Sequence, residues 1–369
     1  MNHFIFHNVG QGLFYSGHLD NNHFNFVYDC GTSSAQKCIE NAVDNQLPFR
    51  DIDFVVISHL HKDHICGLKR LIDNYNVKKI YLPYLGKGNS TLINLLCIVA
   101  VLPDSNTESG SLENDWEQKY KYLTSLYSGE RSEESKLKVE FIGSESEQIK
   151  MKRYCYYGID FYSDDSESPY WKFIMFNKRF NNNILKKLNT RIINLCKITY
   201  SATIEDLIGK GEINKIIDIY DKVFGHNKIN LTSTILIHYP IYNSNGYSLF
   251  LDCFPPCGYM HKDVESNKHP LSILTGDAEF DDNLLGKLRY ELSDSNYYSS
   301  IFQVPHHGSK TNWDSLDGLK NIFNHHVISF GYRNRYHLPN QKVMTELKTM
   351  KNKPISIVTE FSRFDYSIY

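Results

Sequence analysis

The sequence has little net charge and no long apolar segment. Its 369 residues carry 40 Lys and Arg against 42 Asp and Glu, a formal charge of −2. The overall charge therefore gives no sign of nucleic-acid binding, although a local basic patch remains compatible with it. The longest apolar run, Leu95–Leu102, is far shorter than the roughly 20 residues that cross a bilayer. The opening residues MNHFIFHNVGQG lack a basic start and an apolar core, which predicts a cytoplasmic protein without a membrane partner.

The cysteines do not form a recognisable framework. Eight are scattered along the chain without a CxxC pair, so we expect reduced thiols packed as small hydrophobic side chains. The 26 Tyr and 21 Phe argue against extensive disorder. The length suits one large domain with an insertion, or two domains.

Strand-like segments occur in two groups that are separated by a hydrophilic stretch. The first group ends near Lys79–Leu82, and strand-like runs return at Thr234–Tyr239. We therefore predict an α/β core made of residues 1–85 and 229–369. Residues 86–228 would form a mainly helical insertion between these halves.

The segment Ser58–His64, SHLHKDH, places three imidazoles and a carboxylate directly after an apolar DFVVI run. At the end of a buried strand, His59 and His61 alternate and can point in the same direction. Asp63 and His64 lie on the following turn and can face a neighbouring position. This spacing predicts two metal ions a few ångströms apart. Imidazole and carboxylate ligands favour zinc, with manganese or iron as alternatives.

Two later segments could complete such a site. Leu274–Asp277, LTGD, places Asp277 at the end of a strand, where open α/β sheets bind their ligands. Val304–Ser309, VPHHGS, ends another strand with His306 and His307. Each segment alone is compatible with an ordinary turn, so the prediction rests on their combination with the histidine-rich segment.

These segments resemble the metallo-β-lactamase fold superfamily. SHLHKDHICGL matches its HxHxDH signature, and the preceding YDCGT matches its acidic strand-end motif. The closer resemblance is to the branch that contains the metallohydrolase domain of the DNA-uptake protein ComEC. HNVGQG, VYDCGT, NLTSTILI, ILTGD, VPHHGSKT and ISFGYRNRYHLP occur between residues 7 and 339 in the order of that branch, whereas the insertion matches nothing.

The resemblance implies an αββα metallo-β-lactamase sandwich with two divalent metal ions at its edge. Zn²⁺ is favoured and Mn²⁺ is the alternative. Asp277 would bridge the ions, and His306 or His307 would complete the shell of the second ion; we assign His306 to the metal. Asp29 would orient a ligand histidine from behind. Candidates for a third histidine on the first ion are His226 and His238.

The implied chemistry is hydrolysis by a hydroxide activated between the two metals. Asp63 and Asp277 would position it for attack on a phosphodiester. His307 or His337 would protonate the leaving oxygen, a role that suits a pKa near neutrality. His337 lies in a YHLP sequence where the branch usually has Gly-His-Pro.

Basic residues in two segments are candidates for substrate binding. Ser309 and Lys310 could hold a phosphate oxygen, or they could simply cap a helix. Residues 168–204 carry seven Lys or Arg, including Lys178 and Arg179, interleaved with aromatic residues that could stack on bases. The alternative for this segment is a helix with its own small core. That helix would bury Ile184, Leu188, Ile192 and Leu195 on one face.

These features together predict a metal-dependent phosphodiesterase or nuclease with nucleic acid as its substrate. An ester, lactone or thioester hydrolase with the same metal site is the first alternative. The second is a non-catalytic module that binds a partner protein through its insertion. Fold resemblance alone does not decide between them.

Overall fold

The computed structural model describes residues 2–19, 23–83, 125, 137–142, 154–162, 169–178, 182–203, 206–207, 210–224, 233–241, 248–254, 260–263, 269–293 and 297–368. Over these residues the fold is mixed α/β, with two large sheets and a two-stranded one. In the part of the chain that is described, no helix combines the length and apolar character needed to cross a bilayer.

The larger sheet has nine strands in the order β13-β12-β18-β1-β2-β3-β5-β7-β8. In chain order these are β1 Asn2–Phe6, β2 Phe14–Leu19, β3 Phe24–Cys30, β5 Phe54–Val56, β7 Lys79–Pro83, β8 Lys138–Ile142, β12 Ser248–Phe254, β13 Met260–Asp263 and β18 Arg363–Ile368. Strands β3, β5, β7 and β8 run parallel, and the other pairings are antiparallel.

The second sheet has seven strands in the order β17-β16-β15-β14-β11-β10-β9. These are β9 Tyr154–Tyr162, β10 Pro169–Lys178, β11 Ile235–Pro240, β14 His269–Leu274, β15 Tyr297–Gln303, β16 His326–Ser329 and β17 Ile355–Val358. The small sheet pairs β4 Asp51–Ile52 with β6 Asn76–Val77. The helices are α1 Gln36–Asn45, α2 Lys62–Ile65, α3 Leu68–Asn74, α4 Asn182–Thr199, α5 Ile213–Phe224, α6 Asp282–Glu291, α7 Lys310–Asp314 and α8 Gln341–Thr349.

An aromatic core lies between the two large sheets. Phe4 and Phe26 enter it from the first sheet, and Trp171 and Phe173 enter it from the second. The Phe26 and Phe173 rings lie with centroids 4.9 Å apart, and those of Phe4 and Trp171 lie 5.6 Å apart. Burying each such side chain contributes about 1.5–3 kcal/mol, so this core holds the sheets face to face.

The opposite faces of both sheets are covered by helices. Val27 and Val55 alternate with the residues of the aromatic core and pack in one buried cluster with Ile39 and Val43 of α1. Helices α3, α4 and α5 contribute to the same cluster. On the second sheet, Ile237 and its neighbours pack against α6, α7 and α8.

The described part of residues 86–228 contains strands β8, β9 and β10 as well as helices α4 and α5, and the mainly helical character of the insertion stays a prediction. Strand β8 pairs with β7, and β10 pairs with β11 and β9. The alternation of side chains along β10 explains why the sequence did not predict this strand. Trp171 and Phe173 face the aromatic core, whereas Ile174 and Phe176 face the helices on the other side. A strand buried on both faces reads as a continuous apolar run, which does not show its period in the sequence.

The helix suggested by the apolar periodicity at residues 184–195 is present as α4. Leu188, Ile192 and Leu195 are buried, and Ile184 packs against the same cluster. This face covers the first sheet rather than a separate small core.

Strand ends from both sheets meet at one edge. Asp29 lies near the end of β3, and Ser58 follows β5 by two residues. Gly276 follows β14, and His306 follows β15. The amide of Thr234 donates to the carbonyl of Ser58 at 2.9 Å, and that of His306 donates to Gly276 at 3.0 Å. The first bond joins a loop of one sheet to a loop of the other, and the second joins two loops of the second sheet, at the end of the parallel strands where α/β sheets bind ligands.

Candidate metal centre

The histidine-rich loop is held from behind by the buried carboxylate of Asp29. Its Oδ1 accepts the backbone N–H of Ser58 at 2.6 Å, and its Oδ2 accepts the Ser58 hydroxyl at 2.6 Å. Oδ2 also lies 2.7 Å from Nδ1 of His64. Burial raises the pKa of Asp29, while His64 and Ser58 oppose that shift. A carboxylate accepts hydrogen bonds, so the proton of His64 lies on Nδ1 and the lone pair of Nε2 faces the centre.

Close backbone packing fixes the same loop. A Cβ on Gly31 would lie 2.4 Å from the backbone nitrogen of His64, and one on Gly12 would lie 2.3 Å from the carbonyl oxygen of Gly31. The amide of Leu13 also donates to the carbonyl of Asp63 at 3.0 Å. Glycine is needed at these positions because only its backbone can approach so closely.

One group of candidate ligands contains Asp63, His64, Asp277 and His307, whose ligand atoms all lie within 4.8 Å of one another. The Nδ1–H of His307 donates to the Ser329 carbonyl at 2.8 Å, which turns Nε2 to within 3.3 Å of Asp63 Oδ2. His64 Nε2 lies 3.1 Å from Asp277 Oδ1.

A second group contains His59, His61 and Asp277. Nε2 of His59 lies 3.0 Å from Nδ1 of His61 and 3.7 Å from Oδ2 of Asp277. Asp277 belongs to both groups and presents a different oxygen to each. The geometry therefore places two groups of candidate metal ligands side by side, with Asp277 common to both.

His306 and His307 lie on different sides of this centre. Both have left-handed backbone conformations, with φ of 48° and 51°. Nδ1 of His306 lies 3.0 Å from Oδ1 of Asn312, whose amide group donates to the carbonyls of Asp277 and Ala278. Nε2 of His306 is thereby placed 3.5 Å from Asp277 Oδ2. His307 lies with Asp63 and His64, whereas His306 faces the other oxygen of Asp277, and the assignment of the metal ligand between the two histidines stays a prediction.

Unsatisfied buried atoms show that a cation fits this centre. Both carboxylate oxygens of Asp277 and Nε2 of His64 are buried without a hydrogen bond to any described residue. With its proton on Nδ1, His64 directs a lone pair at a carboxylate oxygen 3.1 Å away. Two facing acceptors are stabilised by a cation between them or by a second proton on His64. Imidazole and carboxylate donors of this kind are common ligands of divalent metals.

The pKa shifts at the centre are consistent with a negatively charged Asp277. Burial by itself would lower the pKa of His64, but the carboxylates of Asp277 and Asp29 raise it well above 6.5. Burial would raise the pKa of Asp277, but His306 and His64 hold it well below 3.8. The pKa of His59 is lowered by burial and by His64. The protein thus keeps a negative charge on Asp277 that attracts a cation.

The segment that contains most of these ligands matches a known family. Residues 16–87 match the metallo-beta-lactamase superfamily model. The match spans β2 to β7 and includes the HxHxDH loop, which confirms the superfamily resemblance over these residues. It indicates a metal-dependent hydrolase. A search of curated proteins found no match.

His238 is not a metal ligand. Its ring lies in the aromatic core, with centroids 5.0 Å from Phe4 and 5.2 Å from Phe26. Nε2 of His238 is 2.8 Å from the hydroxyl of Tyr15. The side chain points between the sheets because of its register in β11, which the sequence alone does not show. His226, the other candidate for the third histidine, lies outside the described residues.

Two aromatic residues of the basic segment at residues 168–204 are not available to stack on bases. Trp171 and Phe176 are fully buried and have no exposed ring face to stack on a base. Lys178 forms an ion pair with Asp281, with 2.6 Å between Nζ and Oδ2, while Arg179 lies outside the described residues.

Three further candidates lie beside the centre or near it. Ser309 precedes α7 without a side-chain capping bond, and Lys310 is exposed at the start of that helix. His337 is exposed on the loop before α8, with φ of 53°. Their contacts with substrate remain predictions.

Sequence reasoning did not assign a role to Asn312 or Ser233. Asn312 orients His306, as described above. The hydroxyl of Ser233 lies 3.2 Å from Nδ1 of His59 and accepts the amide of Asp277 at 3.3 Å. Ser233 belongs to the NLTSTILI segment, so its position in the motif order was the available signal.

Proposed function

We propose that the protein is a metal-dependent phosphodiesterase or nuclease whose centre binds two divalent cations, with zinc favoured and manganese as the alternative. The observation that carries the proposal is the buried carboxylate of Asp277, which two groups of histidine and aspartate ligands share. The order of the ComEC-like motifs supports a phosphodiester substrate. In this proposal residues 1–85 and 229–369 form an αββα sandwich, and residues 86–228 are an insertion that adds strands to both sheets.

Two ligand sets would hold the cations. His59, His61 and Asp277 form the first set, and Asp63, His64, Asp277 and His307 form the second. When bound, the two cations would supply Lewis-acid activation of a water molecule and of a phosphoryl oxygen.

The protein's own residues shape this chemistry. Asp29 keeps the proton of His64 on Nδ1, and the Ser329 carbonyl does the same for His307. The Nε2 atom of each ring is therefore directed at the centre before any ligand binds. Most side chains of the centre are buried, but those of Asp63 and His306 are 17% and 21% exposed, and His61 is partly exposed as well. In this proposal substrate reaches the centre on the side of these three residues.

His306 replaces His307 as the proton donor in this proposal. Its Nδ1 is held by Asn312, and its partly exposed Nε2 can carry a proton towards the leaving oxygen. Both ring nitrogens of His307 already have partners. Nδ1 bonds to the Ser329 carbonyl, and Nε2 lies 3.3 Å from Oδ2 of Asp63. His337 remains a second candidate donor because it is exposed.

Metal content and phosphodiester cleavage test the proposal together. The purified protein, loaded with zinc or manganese, is analysed for bound metal and incubated with single- and double-stranded DNA, RNA and bis-p-nitrophenyl phosphate. We expect two bound ions per chain and cleavage of at least one phosphodiester. The variant Asp63→Ala/His64→Ala should lose cleavage and at least one ion.

The matched control removes an exposed pair of opposite charge in α3. Lys69 and Asp73 form an exposed i,i+4 pair, and Lys69→Ala/Asp73→Ala should keep metal content and activity. Two bound ions without phosphodiester cleavage would favour an ester, lactone or thioester substrate instead. Absence of bound metal after loading would refute the enzymatic proposal.

A further inference from the structure

A loop beside the centre carries exposed basic and aromatic residues. We call residues 331–339, GYRNRYHLP, the arginine loop. Ser329, just before it, accepts the Nδ1–H of His307 at its carbonyl oxygen. Asn340, just after it, donates its amide to the carbonyl of Gly308 at 3.0 Å. Both ends of the arginine loop are therefore bonded to the His307–Gly308 turn, which fixes the loop's position relative to the centre.

Asn334 holds the arginine loop in one conformation. Its amide group donates to the carbonyls of Gly331 and Leu338, at 2.7 and 2.5 Å. Its Oδ1 accepts the amides of Tyr336 and Leu338, at 3.1 and 3.0 Å. Outside the loop, Glu360 accepts the amide of Tyr332 at 3.0 Å. Because the backbone is already ordered, a ligand that binds this loop loses little free energy to ordering it.

The side chains of the loop face solvent in a composition typical of a binding surface. Tyr332 and Tyr336 are 68% and 48% exposed, and Arg333 and Arg335 are exposed as well. The guanidinium of Arg335 lies 4.9 Å from the ring centroid of Tyr336. Phe361, 72% exposed, lies 6.3 Å from Tyr332 between ring centroids. Exposed aromatic clusters of this kind commonly mark binding sites, and Tyr and Arg are enriched in them.

The arginine loop itself carries positive charge. Residues 331–339 contain two arginines and no aspartate or glutamate, while Glu360 lies beside the loop with its carboxylate bonded to the amide of Tyr332. Lys310, exposed after the His307–Gly308 turn, adds a further positive charge near the same loop. Arginine forms bidentate hydrogen bonds with phosphate, and aromatic rings stack on unpaired bases. A ligand that offers both groups side by side is single-stranded nucleic acid.

We infer that the arginine loop binds the single strand that flanks the scissile phosphodiester. Arg333 and Arg335 contact backbone phosphates, and Tyr332 and Tyr336 stack on bases. This inference rests on the proposed function, because it places a substrate strand beside the metal centre. It moves substrate binding away from residues 168–204, whose large aromatic residues Trp171 and Phe176 are buried.

Binding of a fluorescent, cleavage-resistant phosphorothioate single strand to the metal-loaded protein tests the inference. Fluorescence anisotropy at several salt concentrations gives the Kd and its salt dependence. For Arg333→Ala/Arg335→Ala we expect a Kd at least tenfold higher. The slope of log K against log salt should be shallower by about 1.4, because each phosphate contact on a single strand contributes about 0.7.

The matched control removes the same charge elsewhere. Lys187 and Arg191 are exposed on α4, and Lys187→Ala/Arg191→Ala should bind like the wild type. Tyr336→Ala should weaken binding about fivefold or more for a normal strand but not for an abasic one. Wild-type binding by the Arg333→Ala/Arg335→Ala variant, equal losses in both double variants, or no binding by the wild type would overturn the inference.

A small substrate separates this inference from the proposed function. Bis-p-nitrophenyl phosphate has no flanking strand, so Arg333→Ala/Arg335→Ala should lower its kcat/KM by a much smaller factor than it lowers affinity for the strand. Hydrolysis by both proteins together with unchanged strand binding overturns the inference alone. A metal-loaded wild type that cleaves no phosphodiester overturns the proposed function, whereas the anisotropy result still decides whether the loop binds the strand.

Discussion

His238 makes the stability of the protein depend on pH, because it is buried without charge between the two sheets. Burial lowers its pKa from 6.5 to about 3. The unfolded chain therefore binds a proton that the folded chain does not bind between these values, and stability falls as the pH drops below 6.5. Between pH 7.5 and pH 5.0 this residue accounts for about 2 kcal/mol of lost stability, at about 1.36 kcal/mol per pH unit.

The variant His238→Leu removes that titration while filling the core. Tyr15 keeps a hydrogen-bond partner, since its hydroxyl lies 2.7 Å from that of Tyr366. Urea unfolding at both pH values should show that the variant loses about 2 kcal/mol less than the wild type on acidification. His23→Leu, at an exposed histidine, is the control and should lose as much as the wild type. An equal loss in the His238 variant would refute the reasoning, and metal content should be unchanged in both variants.

Three further predictions concern the metal centre. Asn tolerates the left-handed backbone at position 29 but supplies one acceptor where Asp29 supplies two. Asp29→Asn should lower metal affinity 10- to 100-fold in a competitive chelator titration, and unchanged affinity would contradict its role. Gly31→Ala should destabilise the protein by about 1–3 kcal/mol in urea unfolding, because the added Cβ meets the backbone of His64. The control Gly286→Ala, exposed in α6 with open space around it, should be neutral or stabilising by up to about 1 kcal/mol. The metal-free protein should have a free energy of unfolding about 3 kcal/mol lower than the protein in the presence of metal at 100 times its Kd. A thermal midpoint that does not change when metal is removed would argue against a cation at Asp277.

The ligand types of the centre are encoded locally and could be predicted from the sequence. His59, His61, Asp63 and His64 follow one buried strand within six residues, so their proximity depends on one loop only. Asp277 was predicted because it follows a strand-like run in an LTGD turn. The carboxyl ends of parallel strands meet at one edge, so residues at such ends approach one another whatever the length of the chain between them.

Local backbone conformation decided where the rings of the paired histidines point. His306 and His307 are adjacent in the sequence, and both have the left-handed conformation. Their rings reach different oxygens of Asp277 because Asn312 holds one and the carbonyl of Ser329 holds the other. These partners lie 6 and 22 residues away, and no spacing rule in a single sequence identifies them.

The sequence did not show which aromatic residues of the basic segment are buried. The basic aromatic segment around Trp171 looks like a substrate-binding surface, yet Trp171, Phe173 and Phe176 lie on a strand that is covered on both faces. The sequence by itself determined the chemical identity of the candidate ligands and their position at strand ends, because those depend on neighbouring residues. Only the tertiary structure decided which histidines face the centre, which face the core and which aromatic residues face solvent. Those directions depend on how the two sheets pack, and packing is set by residues far apart in the chain.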